Sequence, residues 1–525
     1  MHARATEARC DVRLYHRAFV VICALPARHD KPGLLAVQDE DLADLEFAPS
    51  QMQAMGEAVL HRVVDHLATI GEQAVRGDVD AADLCRAMRE PAPELGSAID
   101  PLLASLFEDW IPRSYNTASP GYLAFIPSGG VFPATLADLI ASGVNRYTGV
   151  WRAAPALVQL ESNVLEWLRD WMQFPPATRG VFTTGGSTAN FTAIVCARER
   201  GLGADIRSGV MYASDQVHHS VAKSARLAGV MPDRIRAIPV DGAFRMRVDA
   251  LEDAIGRDRG AGLRPFLVVS SAGTTNTGAI DPLQDIAALC RSKNLWHHVD
   301  GAYGAFFHMC PELRPLLAGL PQADSLTLDP HKGLFLPFGT GALLVADGEA
   351  LKAAHSATAS YMPANQEETD LYDPHQFGPD LSRGFPGLRV WLSVKLYGAA
   401  RYRAAIAEKR ALALAAAERI AAIPYVVIDA PPQLSLFAFH LAWPGSTIEE
   451  QSAATRELLE RVTRRGKVML TGCEVGGRHL GRVCVLSFRT RRERIDACAQ
   501  HLAEEAHAIS KSRMMHCNSS GDRLP

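Results

Sequence analysis

The fold of this chain can be read from one stretch, PFLVVSSAGTTNTGAIDPLQDIAALCRSKNLWHHVDG, which covers residues 265–301. Two short apolar runs, PFLVVSS and LWHHVD, flank a segment in which Leu283, Ile286 and Leu289 recur at helical spacing. A strand, a helix and a second strand in this order are typical of a mostly parallel sheet that helices cover on both faces. The stretch therefore predicts an α/β fold.

The same alternation continues on either side of this stretch. Five more apolar runs between residues 180 and 346 are strand candidates: GVFTT, GVMYAS, IRAIPV, SLTLD and GALLVA. Earlier in the chain, Met55, Val59 and Val63 lie four residues apart and predict a helix that begins near Pro49. Near the C-terminus, the runs VVID, LFAFHLAW, VMLTG and VCVLSFRT predict a small α+β domain behind a long helical segment.

These patterns divide the chain into five segments. We expect a disordered extension, an N-terminal helical segment, a large domain, a small C-terminal domain and a disordered tail, at residues 1–40, 41–115, 116–385, 386–510 and 511–525. Residues 352–380 are rich in Pro, Asp and Gln and predict a mobile loop of the large domain. The apolar run AFVVICALP at 18–26 is too short to span a membrane, and Glu7 and Asp11 precede it where a signal peptide would be basic. We therefore expect a cytoplasmic protein.

The bulk composition excludes several classes of protein. The 525 residues are 48% hydrophobic and 21% charged, which is typical of a globular protein and not of a disordered one. The net charge of −4 gives no general attraction to nucleic acid or to an anionic membrane. The ten cysteines form no CxxC pair, which favours reduced thiols over a disulfide framework or a zinc site. We expect no metal, nucleic acid or membrane partner.

Polar residues follow two of the predicted strands where those strands end. Lys332 follows SLTLDPH, and a lysine at such a sheet edge can form a Schiff base with an aldehyde. Asp300 ends LWHHVD, and a carboxylate there can keep the ring nitrogen of a pyridoxal cofactor protonated, as its chemistry requires. Taken singly, Lys332 could be a surface residue and Asp300 a helix cap. Together they favour a pyridoxal cofactor.

The segment TTGGSTAN, residues 183–190, joins a predicted strand to a helix. Its glycines let backbone N–H groups approach an anion, and the helix dipole adds to the attraction, so the segment would hold the cofactor phosphate. It matches neither GxGxxG nor GxxxxGK[ST], which makes a dinucleotide or a triphosphate a poorer ligand. A simple glycine turn with a serine cap is the alternative.

Two further polar segments follow predicted strands. In SDQVHHSVAK, residues 214–223, His218 or His219 begins a helix, and an imidazole there could stack on an aromatic ring. Neighbouring residues of a helix point to different faces, which argues against a metal ion shared by the two histidines. In SSAGTTNTGAID, residues 270–281, Thr274 is a candidate for contact with the ring.

Five motifs in this order, TTGGSTAN, SDQVHHS, SSAGTTNTGAID, HVDGAYG and DPHKG, resemble those of the group II pyridoxal-phosphate (PLP) decarboxylases, the aromatic-amino-acid and glutamate decarboxylase group. The similarity runs from about Leu42 to about Ala508. It implies a fold type I lyase of amino acid metabolism that binds PLP in its large domain. It also implies a homodimer with the active site at the subunit interface, and conversion of an L-amino acid to an amine and carbon dioxide.

The resemblance assigns roles to single residues. Lys332 would hold the cofactor covalently, Asp300 would pair with its ring nitrogen, and His218 would stack on the ring. Tyr361, in the predicted loop, would return a proton to Cα after carbon dioxide leaves. The remaining cofactor contacts that the resemblance implies are Gly186, Ser187, Thr274, Ala302, Ser325 and His331.

The chain departs from the family pattern in three places. Gly333 follows Lys332 where relatives commonly have Trp, residues 382–384 read Ser-Arg-Gly, and residues 118–120 read Ala-Ser-Pro where a His-Pro signature is usual. The first departure lies beside the cofactor lysine, and the others bear on the substrate pocket. We expect them to affect substrate choice more than cofactor chemistry.

The substrate is the least determined part of the prediction. Phe125, Ile126 and Tyr147 fall where family members line the substrate pocket, and they favour an aromatic amino acid. Arg152 could instead receive the acidic side chain of glutamate, aspartate or cysteine sulfinate, or it could point to solvent. An aminotransferase or an aldehyde-forming relative is a further alternative, which Tyr361 disfavours. Outside enzymes, the alternative is a non-catalytic nucleotide-binding protein.

Overall fold

The computed structural model describes residues 45–78, 81–356 and 371–519. The described residues form two compact units: the first takes in the chain up to Asp65 together with Cys85–Ile111, and the second takes in His66–Leu84 and the chain from Pro112 onward. The predicted extension at 1–40, the end of the predicted tail and Tyr361 lie outside the described residues.

The N-terminal part of the chain is helical. It contains α1 (Pro49–Thr69), α2 (Ala81–Ala87), α3 (Ile99–Ala104) and a π-helical turn at Ser105–Trp110. The fixed φ of Pro49 suits the first turn of a helix, which explains why α1 begins there. Over its whole length α1 buries no side chain, and Val59, Leu60 and Val64 stay exposed.

A seven-stranded sheet lies at the centre of the second unit. Its strands are β1 (Arg179–Thr183), β2 (Gly209–Ser214), β3 (Ile235–Ile238), β4 (Arg264–Ser271), β5 (Trp296–Asp300), β6 (Ser325–Leu328) and β7 (Gly341–Val345). The order is β1-β7-β6-β5-β4-β2-β3, and all pairs are parallel except those of β7 with β1 and β6. The α/β prediction and its seven strand candidates are confirmed.

Helices cover the sheet. They are α4 (Phe132–Val144), α5 (Pro155–Trp171), α6 (Gly186–Leu202), α7 (His219–Leu227), α8 (Val248–Gly260), α9 (Leu283–Lys293), α10 (Pro330–Gly333) and α11 (Gly348–His355). In α9 the stripe of Leu283, Ile286 and Leu289 is buried, as its spacing predicts. The strands carry near-continuous apolar runs because both faces of the sheet are packed.

The C-terminal part is a smaller α+β arrangement. It contains α12 (Pro386–Ala421), α13 (Ile448–Arg464), α14 (Arg492–Ser519) and an antiparallel sheet of β8 (Val426–Ala430), β9 (Leu436–Leu441), β10 (Thr471–Val475) and β11 (Arg478–Cys484), in the order β10-β11-β9-β8. Gly398, with φ +74°, interrupts α12. The last two strands lie closer together than predicted, because Gly476 and Gly477, with φ of +57° and +77°, form a tight hairpin turn.

The topology brings several strand ends to one edge of the large sheet. Because β1 and β6 both run antiparallel to β7, β1 points in the same direction as β5 and β6. The carboxyl ends of β1, β2, β4, β5 and β6 therefore meet at one edge. This edge carries the polar segments that the sequence places after those strands.

Candidate active site

Lys332 and Asp329 form an ion pair directly after β6. The Nζ atom of Lys332 lies 2.8 Å from Oδ2 of Asp329. The Asp329 side chain is 2% exposed and that of Lys332 is 22% exposed. The second carboxylate oxygen, Oδ1 of Asp329, is buried without a hydrogen-bond partner among the described residues. A buried carboxylate with an unused acceptor thus holds the lysine amine at the sheet edge.

Asp300 is the last residue of β5, and each of its carboxylate oxygens accepts a hydrogen bond. The backbone N–H of Ala302 donates to Oδ1 at 3.1 Å, and Nδ2 of Asn190 donates to Oδ2 at 3.0 Å. These donors are neutral, so they fix the direction of the carboxylate without cancelling its charge. The charge remains available to a cationic N–H group in front of it.

The turn between β1 and α6 forms a cradle. The N–H groups of Thr188 and Ala189 bond to the carbonyl oxygen of Gly185, both at 3.1 Å. Gly186 and Ser187 open the helix and have no carbonyl of a preceding turn to bond, so their N–H groups suit an anion. A Cβ atom on Gly186 would lie 3.1 Å from both Cβ of Ala302 and Oδ2 of Asp329, a tight contact that a side chain could make only if these neighbours shifted.

His218 faces the same edge from the start of α7. Its Nδ1 atom accepts a hydrogen bond from the Ser220 N–H at 3.3 Å and lies 2.8 Å from Oγ of Ser220. Burial lowers the pKa of His218, while the nearby Asp300 carboxylate opposes this shift. The ring is therefore neutral near pH 7, and its flat face can lie against a cofactor ring.

Thr274 and His331 are held by short local bonds. Oγ1 of Thr274 accepts a hydrogen bond from the Ala279 N–H at 3.2 Å, and Nδ1 of His331 donates to the Thr340 carbonyl oxygen at 2.8 Å. Burial lowers the pKa of His331, so this ring too is neutral at pH 7. Both side chains are fixed walls of the site.

These groups surround one cavity of about 250 Å³. Eight of the residues that the sequence and the resemblance single out line it: Gly186, Ser187, His218, Thr274, Asp300, Ala302, His331 and Lys332. His219 is not part of its wall among the described residues, and the His219 ring is tilted 44° from that of His218. The structure therefore brings together an amine, an anion cradle, a carboxylate and an imidazole.

Ser325 lies elsewhere, and the cofactor contact expected of it, which would help Gly186 and Ser187 to bind the phosphate, does not fit. Ser325 begins β6, whereas the cavity lies beyond the other end of that strand, about 10 Å away at about 3.3 Å per residue. Its buried hydroxyl accepts a hydrogen bond from Nε1 of Trp296 at 2.8 Å and lies 2.8 Å from Nδ1 of His298. The hydroxyl is thus used inside the fold.

The four residues expected in the substrate pocket do not line this cavity. Phe125 is 49% exposed and has φ +50°, and Tyr147 is 41% exposed. Ile126 is buried in the core of the second unit, and Arg152 is exposed in a short 3₁₀ helix. Phe125 nevertheless lies close to the cavity, because Nη2 of Arg482 donates both to the Phe125 carbonyl oxygen at 3.2 Å and to that of Thr275 in the cavity wall.

Asn190 and Asp329 are among the lining residues that the sequence analysis does not single out, and both bond directly to a candidate site residue. Asn190 ends TTGGSTAN, and the signal was a polar side chain on the buried face of α6. Asp329 precedes Pro330, and the apolar pattern marks it only as the end of the strand candidate SLTLD. A carboxylate three residues before Lys332 could have been noticed as its ion-pair partner, because residues three apart share a helix face.

The residues at this edge fit PLP. Lys332 offers a primary amine, Gly186 and Ser187 offer N–H groups in a narrow cradle, and Asp300 offers an oriented carboxylate. When bound, PLP supplies an aldehyde that condenses with amines and a protonated ring that takes up the electron pair left at Cα when carbon dioxide departs. In the described residues no group of three His, Cys, Asp or Glu side chains could hold a metal ion.

None of the described helices combines the length and the apolar character needed to cross a membrane.

Comparison with known proteins points to one family. Residues 86–442 match the pyridoxal-dependent decarboxylase conserved domain. An aromatic-L-amino-acid decarboxylase of Bacillus atrophaeus is 32% identical over 89% of this chain and 98% of its own length. A 4-hydroxyphenylacetaldehyde synthase of Rhodiola rosea is 28% identical over 88% of this chain and 96% of its own length. The structure of Oryza sativa TDC with PLP and tryptamine superposes with a TM-score of 0.84 at 26% identity, over 88% of this chain and 100% of that one.

The matched domain covers more than half of the chain, so the resemblance predicted from the five motifs is confirmed. The fold is that of the PLP decarboxylases, the cofactor is PLP, and the substrate is an amino acid. A non-catalytic nucleotide-binding protein is thereby set aside. The chain belongs to the pyridoxal-dependent decarboxylase family and is a PLP-dependent carboxy-lyase.

Proposed function

We propose that this enzyme decarboxylates an aromatic L-amino acid to the corresponding amine and carbon dioxide. The main support for this reaction is that Lys332, Asp300 and the Gly186 cradle line the same cavity. The aromatic substrate is supported by the name of the Bacillus atrophaeus relative.

Each residue of the cavity has a distinct task in this proposal. Lys332 holds the cofactor aldehyde, and the N–H groups of Gly186 and Ser187 bind its phosphate. Asp300 keeps the ring nitrogen protonated, so that the ring can accept electrons. The neutral imidazole of His218 covers one face of the ring. The remaining walls, Thr274, Ala302 and His331, keep water out of the site and so favour loss of the charged carboxylate.

Borohydride reduction tests the assignment of Lys332. Reduction should fix PLP to the wild-type chain, and peptide mapping should find it on Lys332. The variant Lys332→Ala should lose both the fixed cofactor and steady turnover. Lys223→Ala, which removes an exposed lysine of α7, is the matched control and should keep both. Normal turnover by Lys332→Ala would show that the site is assigned to the wrong lysine.

A panel of amino acids tests the substrate class. Phenylalanine, tyrosine and tryptophan should release amine and carbon dioxide with a higher kcat/KM than glutamate, aspartate and cysteine sulfinate. Formation of a 2-oxo acid would indicate an aminotransferase instead. A preference for any of the acidic amino acids would overturn the aromatic assignment and leave the cofactor chemistry intact.

An aldehyde-forming reaction is the second candidate, because the Rhodiola rosea relative is named an aldehyde synthase. The two reactions differ in their products, amine in one case and aldehyde with ammonia and peroxide in the other. Measuring both products for each active substrate separates them. Tyr361 favours amine formation, since a tyrosine hydroxyl can return a proton to Cα.

The enzyme is also proposed to act as a homodimer whose active site lies at the interface. Exposed apolar side chains support this, because patches of this kind mark association surfaces. They are Val59, Leu60 and Val64 on α1, Leu139, Ile140 and Val144 on α4, and Phe125. Phe125 and Tyr147, which do not line the cavity of their own chain, would then complete the substrate pocket of the partner subunit.

Mixing two inactive variants tests the shared site. Lys332→Ala and Phe125→Asp should each be inactive alone, and light scattering should give each twice the 56.8 kDa chain mass. Hybrid dimers should regain activity, because one of their two sites then has both an intact lysine and an intact Phe125. No recovery in dimers shown to be hybrid would place Phe125 in the site of its own subunit.

A cytoplasmic location and the domain limits complete the proposal. Seven cysteines in the described part of the chain are free thiols, and five of these are buried, as expected in a reducing compartment. The large domain would span residues 116–385 and the small domain 386–510. Labelling with a thiol reagent before and after unfolding tests the first point: cysteines that react only after unfolding, without reductant, are free in the native protein.

A further inference from the structure

A buried network of hydrogen bonds runs behind the cavity, with Asn190 at its centre. The side chain of Asn190 is 1% exposed. Its Nδ2 atom lies 3.0 Å from Oδ2 of Asp300 and 3.3 Å from Oγ of Ser220. Its Oδ1 atom lies 3.0 Å from Nε2 of His298 and 2.7 Å from Oγ1 of Thr327. All the polar atoms of this one amide are therefore used, and two of its contacts lead to the cavity.

The direction of each bond follows from the far end of the network. The indole N–H of Trp296 can only donate, and it donates to Oγ of Ser325 at 2.8 Å. Oγ of Ser325 lies 2.8 Å from Nδ1 of His298. Burial lowers the pKa of His298 to about 4, so the ring is neutral at pH 7 and carries one N–H. Because the Asn190 carbonyl oxygen can only accept, that N–H is on Nε2, and Nδ1 accepts from the Ser325 hydroxyl.

The same logic fixes the two bonds that leave Asn190. The Asp300 carboxylate accepts, so the NH₂ group of Asn190 faces it. The second N–H of this group donates to Oγ of Ser220, whose hydroxyl then donates to Nδ1 of His218 at 2.8 Å. Every bond in the chain points from Trp296 toward Asp300 and His218. One amide thus orients both side chains that the proposed function places against the cofactor ring.

We propose that Asn190 is a positioning residue that sets the Asp300 carboxylate and the His218 imidazole together, through a one-way hydrogen-bond chain that begins at Trp296. The inference rests on the proposed roles of Asp300 and His218. Without the Ser325 hydroxyl, the Asn190 carbonyl alone favours the His298 proton on Nε2, and the proton moves to Nδ1 more easily. Nε2 would then confront the Asn190 carbonyl, and rotation of the amide to relieve this would turn a carbonyl oxygen toward Asp300.

Substitutions along the hydrogen-bond chain test this inference, one of them away from the cavity and one in its wall. Ser325→Ala breaks the chain far from the cavity, and Asn190→Ala removes its centre. Ser270→Ala is the matched control. Oγ of Ser270 lies 2.7 Å from Nε2 of His297, the residue before His298 in β5, and this buried serine–histidine bond resembles that of Ser325 with His298. Thermal unfolding of the apoproteins checks that the two serine variants disturb the fold to a similar extent.

The readouts are the NMR signal of the ring nitrogen in isotopically labelled PLP, and kcat and KM measured separately. In Ser325→Ala and Asn190→Ala the signal should move toward that of a neutral pyridine. We expect kcat to fall about tenfold for Ser325→Ala and about a hundredfold for Asn190→Ala, the usual range for residues that orient a reacting group, with KM within about twofold. Ser270→Ala should change neither quantity.

Two outcomes separate this inference from the proposed function. A wild-type ring-nitrogen signal and kcat in Ser325→Ala and Asn190→Ala, with a changed signal in Asp300→Asn, would overturn the chain and leave the role of Asp300 intact. A wild-type signal in Asp300→Asn as well would overturn the role of Asp300 itself. If Asn190→Ala does not fold, Ser325→Ala alone decides, since it leaves every cavity residue in place.

Discussion

The ion pair between Lys332 and Asp329 is asymmetric, because the carboxylate is much more deeply buried than the amine. The two atoms are 2.8 Å apart, but the Asp329 side chain is 2% exposed and that of Lys332 is 22% exposed. Loss of the lysine would leave the buried carboxylate without its cationic partner and beside only the His331 ring, whose Nε2 lies 3.6 Å from Oδ2, and a buried charge without a cationic partner is costly. Loss of the aspartate would leave an amine that can still reach water. The two residues therefore differ in what their removal does to the apoprotein.

Lys332→Ala should lower the free energy of unfolding of the apoprotein by about 3 kcal/mol, the cost of stranding one partner of a buried pair. Asp329→Asn alone should destabilise it by less. In the Lys332→Ala background, Asp329→Asn should instead stabilise, because it removes the stranded charge. Urea unfolding of all four proteins at pH 7 measures this. An equal effect of Asp329→Asn in both backgrounds would mean that the pair contributes nothing.

Asp300→Asn should leave the fold intact and lower kcat about a hundredfold or more. A neutral amide cannot stabilise a cationic ring nitrogen, so the ring becomes a weaker electron acceptor. Asp215→Asn, at the end of β2, is the control, because Asp215 also follows a strand but is exposed and outside the cavity wall. Circular dichroism checks the fold. Near-normal turnover by Asp300→Asn would remove this residue from the chemistry.

The buried His297 should make stability depend on pH. Burial lowers the pKa of His297 from 6.5 to about 3, so between these values the unfolded chain binds a proton that the folded protein does not. The contribution of the neutral His297 to the free energy of unfolding is therefore fully present above pH 6.5 and is lost as the pH falls. At pH 5 the loss is about 2 kcal/mol relative to pH 7.

His297→Gln removes this proton and should reduce the drop in unfolding free energy between pH 7 and pH 5 by about 2 kcal/mol. The exposed His507→Gln should leave the drop unchanged. Burial raises the pKa of Asp281 to about 6, which acts in the opposite direction but equally in all three proteins. Chemical unfolding at the two pH values gives the comparison. The same drop in His297→Gln as in wild type would show that His297 is protonated in the folded state.

Gly333, which replaces the usual Trp after the lysine, should not tolerate a side chain. A Cβ atom there would lie 2.5 Å from Cβ and Cδ2 of Phe306, which fills the space. Gly333→Ala should destabilise the apoprotein by about 1–3 kcal/mol, the usual cost of overpacking. Gly256→Ala, on the open surface of α8, should stabilise it by up to about 1 kcal/mol. Calorimetry on the two variants tests the contrast, and equal effects would contradict it.

The strands of the large sheet could be predicted because each is a short apolar run followed by glycine or polar residues. In contrast, the hairpin of β10 and β11 includes the segment Glu474–Arg478, which is mostly polar or glycine. The apolar runs VMLTG and VCVLSFRT, which predicted these two strands, lie further from the turn than the strands themselves. Their turn at Gly476 and Gly477 had a readable signal, since Gly-Gly suits the positive φ of a two-residue turn. The antiparallel direction of β7 had none, because strand direction depends on how the connections pack.

The site was only partly readable for a related reason. Lys332, Asp300 and Gly186 lie at strand ends, where sequence order alone implies a shared edge. Asn190, His298 and Ser325 act through side chains that meet across different elements, and no spacing along the chain reveals that. A polar residue on the buried face of a helix, such as Asn190, was the only local cue.

Tyr361 lies outside the described residues, so its role remains a prediction from the sequence. If its hydroxyl returns the proton to Cα, Tyr361→Phe should still bind PLP and release carbon dioxide. Without that proton, molecular oxygen can take the electron pair left at Cα. Amino acid, oxygen and water would then give aldehyde, carbon dioxide, ammonia and hydrogen peroxide. The expected result is a shift from amine to aldehyde at similar carbon dioxide release.

The control for Tyr361 is the nearby Tyr372→Phe. Tyr372 is buried at 6% exposure and stacks on Phe377 with ring centroids 5.2 Å apart, so its loss of a hydroxyl should affect stability and not products. Amine, aldehyde and peroxide are measured side by side for wild type and both variants, with and without oxygen. An unchanged amine yield from Tyr361→Phe, with no aldehyde in the presence of oxygen, would mean that another group returns the proton to Cα.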